Sequence, residues 1–198
     1  MPTSPLTRDE SQERTRRLLV EAALKLFERD GYRATSLVGV AAEAGFSKGA
    51  VYSNFASKER LFLATIEEEY GQQLSSLHAA LAAGGDMTER LATLGTWFAD
   101  NVMGHPNRAR AMAEFALVTD GDEEVRARLA ELRALLITVV EGLLAEQQLE
   151  LGITFRLPPR DLAEVIVALV DGLVIGEAMA PAPASRFADA IALLLLPA

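Results

Sequence analysis

The chain has 198 residues, half of them apolar and 24% charged, with no cysteine and a net charge of −9. That size fits one large domain or a small one joined to a medium one. The composition excludes disulfides, thiolate nucleophiles and cysteine-built metal sites. Only two histidines, His78 and His105, are present, so no histidine-built metal site or catalytic triad is expected. The charge is uneven: residues 1–60 carry ten basic against eight acidic side chains, residues 61–198 nine against twenty, and all three lysines lie in the first part. A slightly basic head on an acidic body can present one anion-seeking face while the remainder repels nucleic acid.

The opening stretch MPTSPLTRDESQERTRR lacks the apolar segment of a signal peptide, and no run of about 18 apolar residues follows, so a cytoplasmic protein with no membrane span is expected. Period-3.6 stripes recur while period-two alternation is short and rare, which predicts an all-α fold of about nine helices. Residues 1–10 read as a flexible arm. The first helix spans about 11–29, striped by Leu18, Ala22, Leu26 and Phe27, with Gly31 as its stop. Ser36 caps a short helix over about 36–43, Gly45 ends it, and Ser47 caps a third over about 48–54. A fourth, about 57–82, is striped from Phe62 to Leu81 and roughly 39 Å long, enough to bridge two lobes.

Asp86 and Glu89 form a capping box for a fifth helix, striped by Met87, Leu91, Leu94, Phe98 and Val102. A sixth covers about 106–119, a seventh about 122–148. LGITFRLPP reads as an extended linker before an eighth helix over about 160–179 that is apolar nearly all round, and a ninth covers about 185–196.

Function points to residues 36–55. Two short helices joined by a glycine turn form a helix-turn-helix pattern, whose second helix fits a DNA major groove and reaches base edges with its leading residues. Gly49 lets the backbone approach the duplex closely, and Lys48 can pair with a phosphate or a guanine edge. Ser47, Ser53 and Asn54 are short polar arms. Thr35, Ser36, Tyr52 and Lys58 are candidate phosphate clamps.

The wider stretch AALKLFERDGYRATSLVGVAAEAGFSKGAVYSNFASKERLF resembles the N-terminal domain of the TetR family of bacterial transcriptional repressors. The matching residues include Gly31-Tyr32, Thr35-Ser36, Ala44-Gly45, Ser47-Lys48-Gly49, Tyr52, Phe55 and Lys58. The resemblance implies an all-helical homodimer with a three-helix DNA-binding domain over 11–56 and a ligand-binding and dimerisation domain over 57–198. It implies a palindromic operator of double-stranded DNA and a small-molecule effector. Ser47, Lys48, Gly49, Ala50 and Ser53 would face bases or their flanking phosphates, while Thr35, Tyr52, Asn54 and Lys58 would hold the backbone. Ala50 and Ser53 are small, which leaves room for readout through DNA shape. Gly39 departs from the expected pattern, at about 1 kcal/mol inside a helix.

In the body, Ala168, Gly172, Gly176 and Ala180 recur every four residues. This row permits close helix approach, either across a dimer interface joined by Phe187, Ile191 and Leu194 or inside one subunit. Trp97, Phe98, Met103, Met112 and Phe115 are candidate walls of a ligand cavity, or plain core. Asp100, Glu114 and Asp171 stand on otherwise apolar helices. They could greet a cationic or hydroxylated ligand, pair with Arg108, Arg110 or Arg133, or lie on the surface. No nucleophile, metal-protease or nucleotide-loop pattern occurs, so no enzyme, cofactor or metal is expected; a protein-binding scaffold is the other reading.

Overall fold

The computed structural model describes residues 7–177 and 185–195. Residues 1–6 of the expected arm, and Ala180 of the small-residue row, lie outside them. The described residues form nine α-helices and one π-helical turn. The all-α expectation holds, and most boundaries fall within a residue or two of those read from caps.

The largest differences lie at the two ends of the first helix, α1 (Arg8–Ala34). It begins earlier than expected because Thr7 and Glu10 form a capping box, Thr7 accepting from Glu10 N while the Glu10 carboxylate accepts from Thr7 N. At the other end Gly31 is a kink rather than a stop. Its φ of 85° breaks the helix, which resumes for one turn to Ala34. Serines do the capping that follows: Ser36 for α2 (Leu37–Glu43), Ser47 for α3 (Lys48–Asn54) and Ser57 for α4 (Lys58–Leu81). Each such cap is worth about 1 kcal/mol. The Asp86/Glu89 box opens α5 (Met87–Phe98), which continues as a π turn, Ala99–Met103. Beyond it come α6 (Pro106–Val118), α7 (Glu123–Leu151), α8 (Pro159–Glu177) and α9 (Ser185–Leu195).

The expected boundary between residues 56 and 57 coincides with the start of α4, yet the hydrophobic core runs through it. Leu19, Ala23, Phe27, Val40, Val51 and Phe55 pack with Leu61–Ile66 of α4 and onward to Phe115 and Leu132. Phe27, Tyr32, Phe62 and Phe115 form its centre, with ring centroids 4.5–5.8 Å apart. A second core gathers Phe98, Leu144, Leu162, Val167, Phe187 and Ile191. The linker residue Phe155 is buried in it, so that segment is pinned to the body. α4 starts in the first core and runs on beside α5 and α7, with Leu77 and Leu81 buried at its far end.

Candidate DNA-reading helix and body cavity

The turn between α2 and α3 rests on Gly45, whose φ of 73° is costly for any residue with a Cβ. Phe46 N donates to Ala41 O at 2.8 Å and closes the turn. The inner face of α3 is held by Val51 and, at its C-cap, Phe55, both buried. Its outer face and leading end are bare: Ser47, Lys48, Gly49, Tyr52 and Ser53 are exposed, and Ala50 is half-buried. A Cβ on Gly49 would touch only Ser47 Oγ, at an ordinary 3.7 Å, so packing within the chain does not demand glycine there. Lys48 Nζ stands 5.6 Å from the Tyr52 ring centroid, placing cation and aromatic side by side on the free face.

The remaining candidates have local partners. Ser47 Oγ accepts from Ala50 N at 3.2 Å, and Ser36 Oγ from Gly39 N at 3.0 Å. Ser53 Oγ and Asn54 Nδ2 both donate to Ala50 O, at 3.0 and 2.8 Å. Two expected phosphate clamps are turned inward. Thr35 is buried and donates to Gly31 O at 2.8 Å, because the kink leaves that carbonyl without its helical partner. Lys58 Nζ reaches Arg33 O at 3.3 Å and lies 4.2 Å over the Tyr32 ring; burial pulls its pKa below the usual lysine value against the pull of Glu59 and Glu114.

The head is bolted to the body at the kink. Arg33 N donates to Glu114 Oε2 at 2.8 Å, and Arg110 approaches the same carboxylate at 3.8 Å. A Cβ on Gly31 would lie 3.0 Å from Glu114 Oε2. Tyr32 OH donates to Glu59 Oε1 at 2.8 Å. Burial would raise the Glu59 pKa, but bonds from Ser57, its own amide and Tyr32, with Lys58 nearby, together hold it below the usual value.

A cavity of about 520 Å³ lies inside the body. Along α4 its wall runs from Phe62 to Leu81, about 28 Å of helix. Of the expected wall residues, Trp97, Phe98, Met112 and Asp171 line it. Phe115 is instead fully buried in the aromatic cluster, Glu114 is the bolt just described, Asp100 is exposed on the π turn, and Met103 packs with the second core. Asp171 pairs with Arg133 and Glu114 with Arg110, both within the pairings that the sequence suggested.

The head-side end of the cavity holds a cluster that sequence reading did not assemble. Glu28 of α1 meets His105 Nδ1 at 2.6 Å and Arg108 Nε at 3.7 Å; Arg108 Nε also lies 2.8 Å from Glu69 Oε1. That last contact is close but out of line for a hydrogen bond, so both atoms are buried without one. Burial raises the Glu69 pKa, and Glu28 adds to the rise against Arg108 and His105. The signal was present in part: Glu69 follows Phe62 and Ile66 by seven and three residues, on the apolar face of α4. Its partners come from α1 and α6, which no local pattern connects.

In the single chain, α8 leaves Val165, Ala168 and Gly172 exposed, and a Cβ on Gly172 or Gly176 would meet nothing within 4 Å. On α9 the expected interface residues Phe187 and Ile191 face inward instead. They lie one turn apart on the stripe that packs against α5, and Phe187 stacks on Phe98 with centroids 3.7 Å apart. Leu194 is half-buried beside them, while Leu193 is outward. Among the described residues no group of three or more metal-binding side chains occurs, and no helix is long and apolar enough to cross a membrane.

The sequence model described as "Bacterial regulatory proteins, tetR family" matches residues 19–65, from α1 into α4. The HTH-type transcriptional regulator BetI of Rhizobium meliloti (strain 1021) is 30% identical over 175 residues, spanning 86% of this chain and 81% of that protein. E. coli NemR in its reduced form is similar in structure with a TM-score of 0.71 at 22% identity, covering 93% of this chain and 100% of that one. FadR from Bacillus subtilis in complex with stearoyl-CoA gives 0.64 at 19% identity, over 90% and 97%.

Proposed function

The chain belongs to the tetR family of bacterial regulatory proteins and is a DNA-binding transcriptional regulator; from that premise we propose that it is a homodimeric repressor, acting in the cytoplasm, which an effector in the body cavity releases from a palindromic operator. The observation that carries this reading is the bare leading end of α3. Ser47, Lys48 and Gly49 stand free on a helix whose other face is locked by Val51 and Phe55. These residues, with Ala50 and Ser53, face base edges and their flanking phosphates. Ser36, Tyr52 and Asn54 contact the backbone. Thr35 and Lys58 set the position of α2 and α3 from behind.

Dimerisation places two α3 helices about 34–36 Å apart, the distance between successive major grooves. The open row on α8, Val165, Ala168, Gly172 and Gly176, supports an interface there, extended by Leu193. The regulator has two dimer shapes, one with that spacing and one without. An effector in the cavity moves α6 against α4, and α4 carries the head. To regulate, the effector must favour the shape that does not fit; equal binding to both does nothing. That the stearoyl-CoA-bound FadR shares this fold supports a body that encloses a ligand. Function on this reading lies in binding alone, with no catalytic step.

The test is selection of bound DNA from random duplexes, followed by salt titration. A palindromic consensus with half-sites one helical turn apart, bound with an affinity that falls steeply with salt, is the expected result. A non-palindromic or absent consensus with salt-insensitive protein capture overturns it. Sedimentation of a Gly176→Leu variant tests the α8 row: a folded, still dimeric variant rules that row out as the interface.

A further inference from the structure

The cavity is long, mostly apolar and carries a definite charge balance at one end. Three arginines and three carboxylates line it. Arg90 is committed to Glu150, to Gln147 and, at 3.0 Å, to Gly85 O. Arg133 is committed to Asp171. At the head-side end, however, Arg108 stands between two carboxylates, Glu28 and Glu69, and reaches Glu69 only at a poor angle. At that end two carboxylates face one guanidinium and the His105 imidazole, and Glu69 Oε1 is left without a hydrogen bond. Aromatic walls stand close by: Phe27 and Phe62 at this end, Tyr70 one residue beyond Glu69, and Trp97 farther along. The body around the cavity is itself acidic, nine basic against twenty acidic residues over 61–198, a field that attracts cations and repels anions.

We propose that the effector is an amphiphilic organic cation, its ammonium head at Glu69 and Glu28 and its apolar body lying along α4 towards Leu81. This deepens the effector-released reading above and rests on it for its regulatory meaning. The chemistry is specific at three points. An ammonium supplies the hydrogen-bond donor that buried Glu69 Oε1 lacks. Aromatic faces within reach stabilise a desolvated cation further. The remaining space suits a slender hydrocarbon: about 520 Å³ is drawn out along roughly 28 Å of α4. An anionic acyl ligand meets the opposite situation, since each lining arginine already faces a carboxylate. Glu28 also gives the head a direct stake in binding. It belongs to α1, so a cation that draws Glu28 or Glu69 away from Arg108 rearranges the tie between α1 and α6.

The test is calorimetric titration of the full-length protein, without DNA, with decyltrimethylammonium, decanoate and decanol below their aggregation concentrations. The expected result is a cation at least tenfold tighter than decanoate. Glu69→Gln weakens the cation about tenfold and leaves decanol within twofold. Leu94→Trp, which fills the cavity, weakens the cation and decanol together. If Glu69→Gln fails to fold by circular dichroism, Glu28→Gln removes the cluster's other carboxylate and carries the same expectation; Val140→Phe replaces Leu94→Trp likewise. Decanoate binding as tightly as the cation, a preference that survives loss of the carboxylate, or cation binding that ignores the filled cavity each overturns the proposal. Because no DNA is present, such a failure leaves operator reading intact. Conversely, cation binding that leaves operator affinity unchanged sinks the release scheme and keeps the ligand class.

Discussion

The two ends of α4 lie in opposite kinds of interior. At its start, Leu61, Leu63 and Ala64 pack into a core centred on four aromatic rings, and only Phe62, Thr65 and Ile66 there also reach the cavity. At its end, Leu77 and Leu81 border a cavity. The head is also pinned by polar bonds of long sequence separation, from Tyr32 to Glu59 and from Arg33 to Glu114. The cavity's charged cluster, by contrast, is imperfectly matched. On the proposed reading, one helix thus connects a closely packed DNA-reading head to an effector-binding body. A reader must hold α3 in one orientation to discriminate DNA, whereas a sensor must have somewhere to move. A cavity beneath a continuous helix provides that freedom without loosening the reader.

Truncation should expose the contrast most sharply. Phe115→Ala removes a fully buried ring from the cluster and is expected to cost about 3–5 kcal/mol. Leu91→Ala, on the cavity wall, borders space already empty and is expected to cost well below the 2–5 kcal/mol usual for a buried leucine. Urea denaturation at fixed protein concentration measures both, since an associating chain has concentration-dependent stability. Equal costs would show that the sensor is packed as tightly as the reader. Next in size is Gly31→Ala. Its φ of 85° and the 3.0 Å approach of Glu114 together predict a loss of about 1–3 kcal/mol. The loss should be accompanied by weaker DNA binding, because the kink is where head meets body. A stability loss with DNA affinity unchanged would separate the two.

How much of this was legible in the sequence depends on the range of the interaction. The caps at Ser36, Ser47, Ser57 and Asp86 are local, three-residue patterns, and the helices they open lie where the serines and the aspartate place them. The exposed end of α3 was legible for the same reason. What failed to be read was non-local or needed a face rather than a type. Thr35 looked like a phosphate clamp until Gly31 proved to be a kink whose carbonyl it satisfies. Phe187 and Ile191 carried the right apolar character for an interface, but periodicity alone cannot say whether a stripe faces its own subunit or another. Glu28, Glu69, His105 and Arg108 converge from three helices, and no spacing in one dimension brings them together.

A smaller effect, about 1 kcal/mol, is expected at the free face of the reader. Lys48→Ala should weaken DNA binding about equally on all sequences and lower the slope of log affinity against log salt by about 1. A loss confined to one base position would instead make Lys48 a base reader, and the reader's specificity would then be direct. No change at all would mean that α3 does not lie against the duplex.

The smallest effect is also the most discriminating, because it has opposite signs at the two ends of one helix. Glu59 and Glu69 are ten residues apart on α4. Bonds from Ser57, its own amide and Tyr32 outweigh burial and hold Glu59 below the usual carboxylate range, whereas burial, aided by Glu28, lifts Glu69 above it. A depressed carboxyl contributes stability that is full above its unfolded pKa of about 4.3 and is lost as pH falls through the lower folded value. A raised one contributes stability that is full below about 4.3 and is lost as pH rises through the higher folded value. Glu59→Gln should therefore cost more at pH 7 than at the acid end, while Glu69→Gln should become relatively more favourable as pH rises. Each difference should stay under about 1 kcal/mol, since neither carboxylate is fully removed from solvent. Denaturation of both variants between pH 3.5 and 7, with carboxyl titration by NMR, reads the two slopes. Parallel slopes would mean that Glu69 is as well matched as Glu59, and the sensor end of α4 would then have no unmatched carboxylate to offer a ligand.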